Sequence, residues 1–185
     1  VSYLQYKTPG SSSWTTYSSG TTISASATNG LYQFRAVDNA GNTSAVSSIY
    51  LDTAIPTGKI TDSNGTTVTT TTNKAFKYTA SDGLSGIAYM QYKKPNSTVW
   101  ETYAAGTLIQ TTDTNGIYRF RAFDNAGNES ETVMICLDTV KPTGTLYGGT
   151  STVASGGKTN ANYVKFVPSD SMSGIKSIYV QTPSS

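Results

Sequence analysis

The chain contains no histidine and only one cysteine in 185 residues. Without His, neither a Ser/His/Asp nor a Cys/His relay can be assembled, and no Cys/His cluster with zinc-ligand spacing exists. A single cysteine forms no disulfide within the chain. Charge is also scarce: Asp, Glu, Lys and Arg make up 13% of the residues, against about 25% in ordinary globular proteins. The formal net charge is +2 and the cations form no run, which removes the case for nucleic acid. No apolar stretch nears the roughly 18 residues of a membrane span, so no membrane insertion is expected. No Gly-rich phosphate loop precedes a helical pattern, and the few carboxylates fall mostly in turns. The expectation is therefore a non-enzyme. No leader-like segment opens the chain either, but the chain begins inside a repeat, so this silence says nothing about compartment.

Ser, Thr, Gly and Asn fill the space that charge leaves, and 13 Tyr with 5 Phe supply core material. The organising stretch is Gly116 to Asn128, with an earlier copy at Gly30 to Asn42. In both, Tyr, Phe and Ala alternate with polar residues, the period-two pattern of a strand with one buried face. Asp124 to Asn128 is then a turn, and Thr132 to Leu137 reads as the returning strand of a hairpin. The register holds over a long span. Tyr3 to Tyr89, Trp14 to Trp100, Asp38 to Asp124, Asp52 to Asp138 and Pro56 to Pro142 are each a step of 86 residues. A third copy follows, with Ser81 to Ile87 matching Ser169 to Ile175 at a step of 88. Repeats of this length argue for beads on a string. Proline sits badly inside a sheet, so Asp52 to Gly58 and Asp138 to Gly144 mark the seams. Residues 1–52 are then the C-terminal part of a repeat, 53–138 a complete one, and 139–185 the N-terminal part of a third. The complete unit is predicted to hold strands near 57–62, 75–80, 87–93, 99–103, 107–111, 116–123 and 131–137. Seven short strands with regular turns and no helical period read as a β-sandwich. Cys136, between Ile135 and Leu137 and equivalent to Tyr50, reads as a partly exposed strand residue.

Asp113 to Tyr118 looks like the tyrosine corner before the sixth strand of immunoglobulin-like domains, although the first copy has Ala27 where Asp113 stands. With Ser-Gly-Ile after an Asp, the turn at Asp124 to Asn128, and the seam motif from Leu51 to Gly58, the chain resembles bacterial immunoglobulin-like repeats of cell-surface and secreted proteins. The resemblance covers essentially the whole chain. It implies an all-β fold of tandem immunoglobulin-like β-sandwich repeats and an extracellular, cell-surface or secreted setting. The Cys pair and core Trp of antibody domains are missing. Such modules serve as stalks, spacers and adhesive units, so the expected function is a non-catalytic structural repeat of an adhesin-like protein. The alternatives are a ligand-binding module and an accessory domain of a secreted glycosidase.

Three constellations carry candidate chemistry. In such a sandwich, the loops after the second and sixth strands meet the incoming linker at one end, which gathers Asp52, Asp82, Asp124, Asn125 and Asn128. Carboxylate and amide oxygens at a seam suit a hard cation such as Ca²⁺; the plainer reading is Asx hydrogen bonding within turns. No other cofactor is implied. An isopeptide cross-link would need a buried Lys, and alternation turns Lys77 and Lys165 away from the apolar face. Alternation also buries Met90 and Tyr92 with Tyr118 and Phe120, and turns Tyr89, Gln91, Arg119 and Arg121 outward on adjacent strands. The first copy repeats the theme with Tyr3, Gln5, Gln33 and Arg35. Tyr and Arg are enriched at binding hot spots, so this face could take a glycan or a host surface protein; the plainer reading is cross-strand pairing on a solvated face. Trp14 and Trp100 read as packing residues.

The seam of Asp-Thr-x-x-Pro is too short for free swivelling, which predicts a semi-extended rod. Val1 aligns with Ile87 and Ser185 with Ser97, so the terminal units are expected to be incomplete and complementary. That predicts head-to-tail self-association through exposed sheet faces. The rival is a different repeat phase, with 1–86 and 87–174 as whole units.

Overall fold

The computed structural model describes residues 1–181, so the last four positions of the third segment, 182–185, lie outside the described residues. Among the described residues the chain is all-β, with no helix. Its strands are β1 (Tyr3–Lys7), β2 (Thr15–Tyr17), β3 (Gly30–Val37), β4 (Ser47–Leu51), β5 (Thr57–Asp62), β6 (Thr71–Thr72), β7 (Phe76–Ser81), β8 (Ile87–Lys93), β9 (Glu101–Tyr103), β10 (Gly116–Asp124), β11 (Val133–Leu137), β12 (Thr143–Gly148), β13 (Ser151–Val153) and β14 (Val164–Ser169). They form four sheets, ordered β2-β1-β3-β4, β6-β11-β10-β8-β9, β13-β12-β14 and β5-β7, and none closes into a barrel. All pairings are antiparallel except that of β6 with β11.

The period-two pattern of Gly116 to Asp124 becomes strict alternation. Tyr118, Phe120, Ala122 and Asp124 are buried, while Ile117, Arg119, Arg121 and Phe123 point the other way. β11 does the same, burying Ile135 and Leu137 and turning Met134 and Cys136 outward. The apolar face so formed is covered by the β5-β7 sheet, which contributes Ile60, Phe76 and Tyr78 to one core with Met90, Tyr103, Ile109, Tyr118, Phe120, Ile135 and Leu137. Aromatic rings dominate the contact. Tyr78 stacks on Phe120 with centroids 5.1 Å apart, and Phe76 meets Tyr118 edge-on at 5.7 Å. Offset-stacked and edge-to-face arrangements suit the ring quadrupole.

Two hydrogen-bonded links join the sheets across this core. The Tyr78 N–H donates to Tyr103 Oη at 3.0 Å, while Tyr103 Oη donates to the Thr107 carbonyl. Phe76 and Ile109 exchange backbone hydrogen bonds at 3.0 and 2.8 Å. The strand expected over 107–111 is therefore only a one-residue bridge. Turns on both sides, closed by Thr107 N–H to Ala104 O and Asp113 N–H to Gln110 O, leave Ile109 alone in extended pairing. β6 was not expected, and its two Thr residues carry no apolar alternation to announce it. Of the remaining expected strands of this segment, 57–62 and 87–93 have the expected boundaries and the other four are present with boundaries shifted by one or two residues.

Tyr118 Oη donates to the Thr114 carbonyl at 2.8 Å, and Tyr32 Oη to the Thr28 carbonyl at 2.9 Å. Burial first, and then the Asp113 carboxylate, push the Tyr118 phenol up to about 12, so it remains a donor at neutral pH. The bond at Tyr32 forms without an Asp at position 27. Asp113 has another use: its Oδ2 accepts the Gln110 N–H at 2.6 Å.

The ring of Tyr78 lies directly over Gly58, where a Cβ would sit 2.1 Å from Tyr78 Oη. Gly58→Ala is expected to destabilise the chain by about 1–3 kcal/mol through overpacking, and Phe120→Ala by about 3–5 kcal/mol through the cavity it leaves. Urea unfolding followed by tyrosine fluorescence measures both; a loss below 0.5 kcal/mol for Phe120→Ala, a rough surface-substitution limit, would rule out this core.

Candidate functional site

The turn sequences that follow the strands share one local device. Asp124 Oδ1 accepts the N–H groups of Ala126 and Asn128 at 3.0 and 2.8 Å, and Gly127 supplies the positive φ of 94° that closes the loop. An Asp carboxylate bonding its own backbone two residues on is an Asx turn. Asp82 repeats it with Leu84 and Gly86, Asp38 with Ala40 and Asn42, and Asp170 with Met172 and Gly174.

Tertiary folding then brings two such loops to the seam. Carboxylate oxygens of Asp52, Asp82 and Asp124 all lie within 4.8 Å of one another. Asp52 and Asp124 are buried and Asp82 is half-buried. Asp52 Oδ1 accepts the Ala54 N–H and its Oδ2 the Ser85 N–H, both at 3.0 Å. No cation appears among the hydrogen-bond partners of the three; the ion pairs of the described residues, Lys94–Glu101 and Arg121–Glu129, lie elsewhere. Backbone N–H donation to Asp82, led by Leu84 and then Gly86, lowers its pKa from the ordinary 3.8 against a smaller upward push from desolvation. The two Asn residues gathered with these Asp residues do a different job. Asn128 Nδ2 donates to Asp124 Oδ2 at 2.8 Å and to the Asp52 carbonyl at 3.1 Å. Asn125 Nδ2 donates to the Ser85 and Gly86 carbonyls at 2.7 and 3.3 Å. They brace the loops with their amide nitrogens, and the carboxylates are left as the converging oxygen set.

The seams are also tied backwards. Thr139 N–H donates to Asn115 Oδ1 at 3.0 Å, and Thr53 N–H to Asn29 Oδ1 at 3.3 Å. Asp138 Oδ2 accepts the Ser173 N–H at 3.0 Å, copying Asp52 and Ser85. Each seam thus bonds the loop that leads into β3 or β10 before it and the loop that follows it. The sequence placed Ser85, Asn115 and the two Thr residues within repeated motifs but gave none of them, nor Asn29, a role as a tie, although Asn29 to Asn115 and Thr53 to Thr139 repeat at the same step of 86.

On the outer face, the register sets Arg121 opposite Gln91 and Phe123 opposite Tyr89. Arg121 Nε donates to Gln91 Oε1 at 3.0 Å and Nη1 to Glu129 Oε1 at 2.7 Å. Its guanidinium lies 4.2 Å from the Trp100 ring centroid. Tyr89 is exposed and stacks on Phe123 at 4.7 Å. Arg119 stands a step away, opposite Lys93. The first copy matches: Arg35 Nε donates to Gln5 Oε1 at 2.9 Å and covers Trp14 at 4.2 Å, while Tyr3 is exposed opposite Val37. Both Trp residues therefore pack, on the outer face and beneath cations.

Cys136 is half-buried. Burial, followed by the Asp138 and Asp170 carboxylates, pushes its thiol up, the opposite of what a reactive thiolate requires. Lys77 is half-buried and Lys165 exposed beside Tyr147. No match was found to any protein-family model or to any curated protein.

Asp38, Asp82 and Asp170 all have depressed pKa values, Asp38 chiefly through the Asn42 side chain and Asp170 through Met172 N–H. Their contribution to stability is complete above the ordinary 3.8 and is lost as pH falls through the lower folded values. An NMR titration of the side-chain carboxyl carbons should place all three midpoints below 3.8; midpoints at or above it would show that the loops do not hold in solution.

Proposed function

We propose that the chain is a non-catalytic spacer, built of tandem immunoglobulin-like β-sandwich repeats, from a bacterial cell-surface or secreted adhesin-like protein. Its segments are 1–52, 53–138 and 139–185. The observation that carries this reading is the tying of each seam on both sides, Asn29–Thr53 with Asp52–Ser85, and Asn115–Thr139 with Asp138–Ser173. A linker whose side chains and amides are bonded to both neighbours fixes the spacing and angle of successive units, as a stalk requires. The Tyr118 and Tyr32 hydrogen bonds support the immunoglobulin-like assignment, since a tyrosine hydroxyl bonded a few residues upstream is the corner motif of those domains. The Arg121 and Arg35 guanidinium groups are engaged with Gln, Trp and, for Arg121, Glu129, which suits a self-supporting outer face.

Ca²⁺ belongs to the same proposal. Calcium takes six to eight oxygens, and Asp52, Asp82 and Asp124 offer converging carboxylates without a neutralising side chain. A cation held there would join the incoming linker to both loops and offset the mutual repulsion of the three charges. A second reading rests on exposed Tyr89, stacked on half-buried Phe123 beside Gln91, as a flat platform for a glycan or host surface protein. An accessory domain of a secreted glycosidase would present the same features, and the sequence flanking the chain distinguishes it.

Small-angle scattering should give a semi-extended particle with a single narrow shape distribution; a compact or broadly flexible one would sink the spacer reading. Glycan and matrix-protein arrays should give no hit, whereas a signal abolished by Tyr89→Ala would establish the binding module instead. For calcium, free ion at 100 times Kd should stabilise the chain by about 2.7 kcal/mol, seen as a rise in Tm that EDTA reverses. Asp82→Ala should abolish that rise, and calorimetry without heat of binding would remove the ion from the proposal.

A further inference from the structure

β6 contains no apolar residue, yet the chain makes a detour to place it. After β5 the chain turns back along that strand, with Thr61 bridged to Thr67 and the Val68 N–H donating to the Ile60 carbonyl at 2.9 Å. It then leaves the β5-β7 sheet, joins the five-stranded sheet as β6, and returns to start β7 at Phe76, opposite Asp62. Thr72 Oγ1 accepts the Lys74 N–H at 3.0 Å and closes the turn behind it. The detour adds two backbone bonds to the last strand of the segment. The N–H groups of Cys136 and Asp138 donate to the Thr70 and Thr72 carbonyls, both at 2.9 Å. This is the parallel pairing of β6 with β11.

β10 runs from one seam to the other. Its Asp124 end meets Asp52 at the incoming seam, where Asn128 donates to the Asp52 carbonyl at 3.1 Å. Its Gly116 end lies opposite Leu137, the last residue of β11, beside the outgoing seam at Asp138. Tension carried through the two seams therefore acts along the strands. At the exit it draws β11 lengthwise out from between β10 and β6. At the entry it draws β5 lengthwise past β7, because Thr57 lies opposite Ser81 at the incoming end. Ladder hydrogen bonds stand across the strand axis. A lengthwise load is shared among them, so several must break together, whereas a load that lifts one end breaks them singly. β11 is held in this way on both sides, by β10 from Gly116–Leu137 to Phe120–Val133 and by the two β6 bonds. Because β6 is continuous with β5 and β7, it also anchors β11 to the opposite sheet.

We propose that the pairing of β6 with β11 is a mechanical clamp, through which residues 57–138 resist tension applied along the chain. The clamp is a property of the fold between the two seams; the spacer reading supplies only the occasion for load.

The test is single-molecule force spectroscopy of the full chain. Handles at its two ends load it lengthwise. Handles on Thr114→Cys and Val140→Cys, exposed positions at the Gly116–Leu137 end of the β10-β11 pair, unzip that pair instead. Cys136→Ser removes the natural thiol from both and keeps its amide. In lengthwise loading, the event of the central segment is recognised by the length it releases, roughly 3.3–3.6 Å for each residue between the seams. Forced unfolding is governed by the unfolding rate, and at equal force the lengthwise lifetime should exceed the unzipping one. Cys136→Pro deletes the N–H bonded to Thr70. It should shorten the lengthwise lifetime about fivefold, the worth of one ordinary hydrogen bond broken in the rate-limiting step, while Cys136→Ser matches wild type. Near-ultraviolet circular dichroism checks that each variant is folded. The comparison of pulling directions needs only exposed substitutions beyond Cys136→Ser, and it decides the matter if Cys136→Pro does not fold. A lengthwise lifetime no longer than the unzipping one overturns the clamp, as does a wild-type lifetime in folded Cys136→Pro. Either result leaves the particle shape measured by scattering, and with it the spacer reading, untouched.

Discussion

The stack of Tyr78 on Phe120 is the contact on which the central part of this molecule depends. It joins a two-stranded sheet to a five-stranded one with no disulfide available to help, in a chain whose single cysteine sits on the opposite face of β11. The stack is close because Gly58 has no side chain beneath the Tyr78 ring. It is oriented because Tyr103 holds the Tyr78 amide. Large aromatic side chains remove much apolar area from water per residue, so a chain poor in Leu can still build a core rich in Tyr and Phe. The hydroxyl groups cost little where they reach a carbonyl, as at Tyr103 and Tyr118.

The Asp-centred turn is the second device. Five copies, at Asp38, Asp62, Asp82, Asp124 and Asp170, use the same pair of N–H bonds, so locally they are interchangeable. Their roles diverge only through position. Asp82 and Asp124 arrive at the seam with Asp52, while Asp38 lies exposed among its own loop partners. Identical local chemistry is thus a turn in one place and part of a carboxylate cluster in another. The outer face follows the same logic. Arg121 and Arg35 are residue types that favour binding sites, but the strand register sets each against a Gln and a Trp, and their donors and ring contacts are used within the sheet.

Side-chain hydrogen bonds also fix the seams. A linker of five residues keeps its geometry when its Thr bonds backwards to an Asn and its Asp bonds forwards to a Ser amide, and both seams carry this pattern. Conformational entropy that a free linker would retain is given up here, as the proposed spacer requires.

Alternation in Gly116 to Asp124 determined by itself which residues of β10 are buried, because the side-chain period of a strand is two and each face has one environment. Turn composition likewise determined the loop at Asp124, since an Asx turn and a positive-φ Gly are local events. The step of 86 residues made the equivalence of the copies legible before any coordinate. The sequence did not determine the strand at Thr71–Thr72 or the loss of one over 107–111, because the first has no apolar pattern and the second is limited by turns on both sides. Nor did it distinguish braces from oxygen donors among the five seam residues. Only the tertiary structure decided that Asn125 and Asn128 turn their amide nitrogens onto carbonyl and carboxylate oxygens while the three Asp residues converge. The reason is that side-chain direction at a seam depends on loops brought together from positions 52, 82 and 124, a juxtaposition that no local propensity encodes.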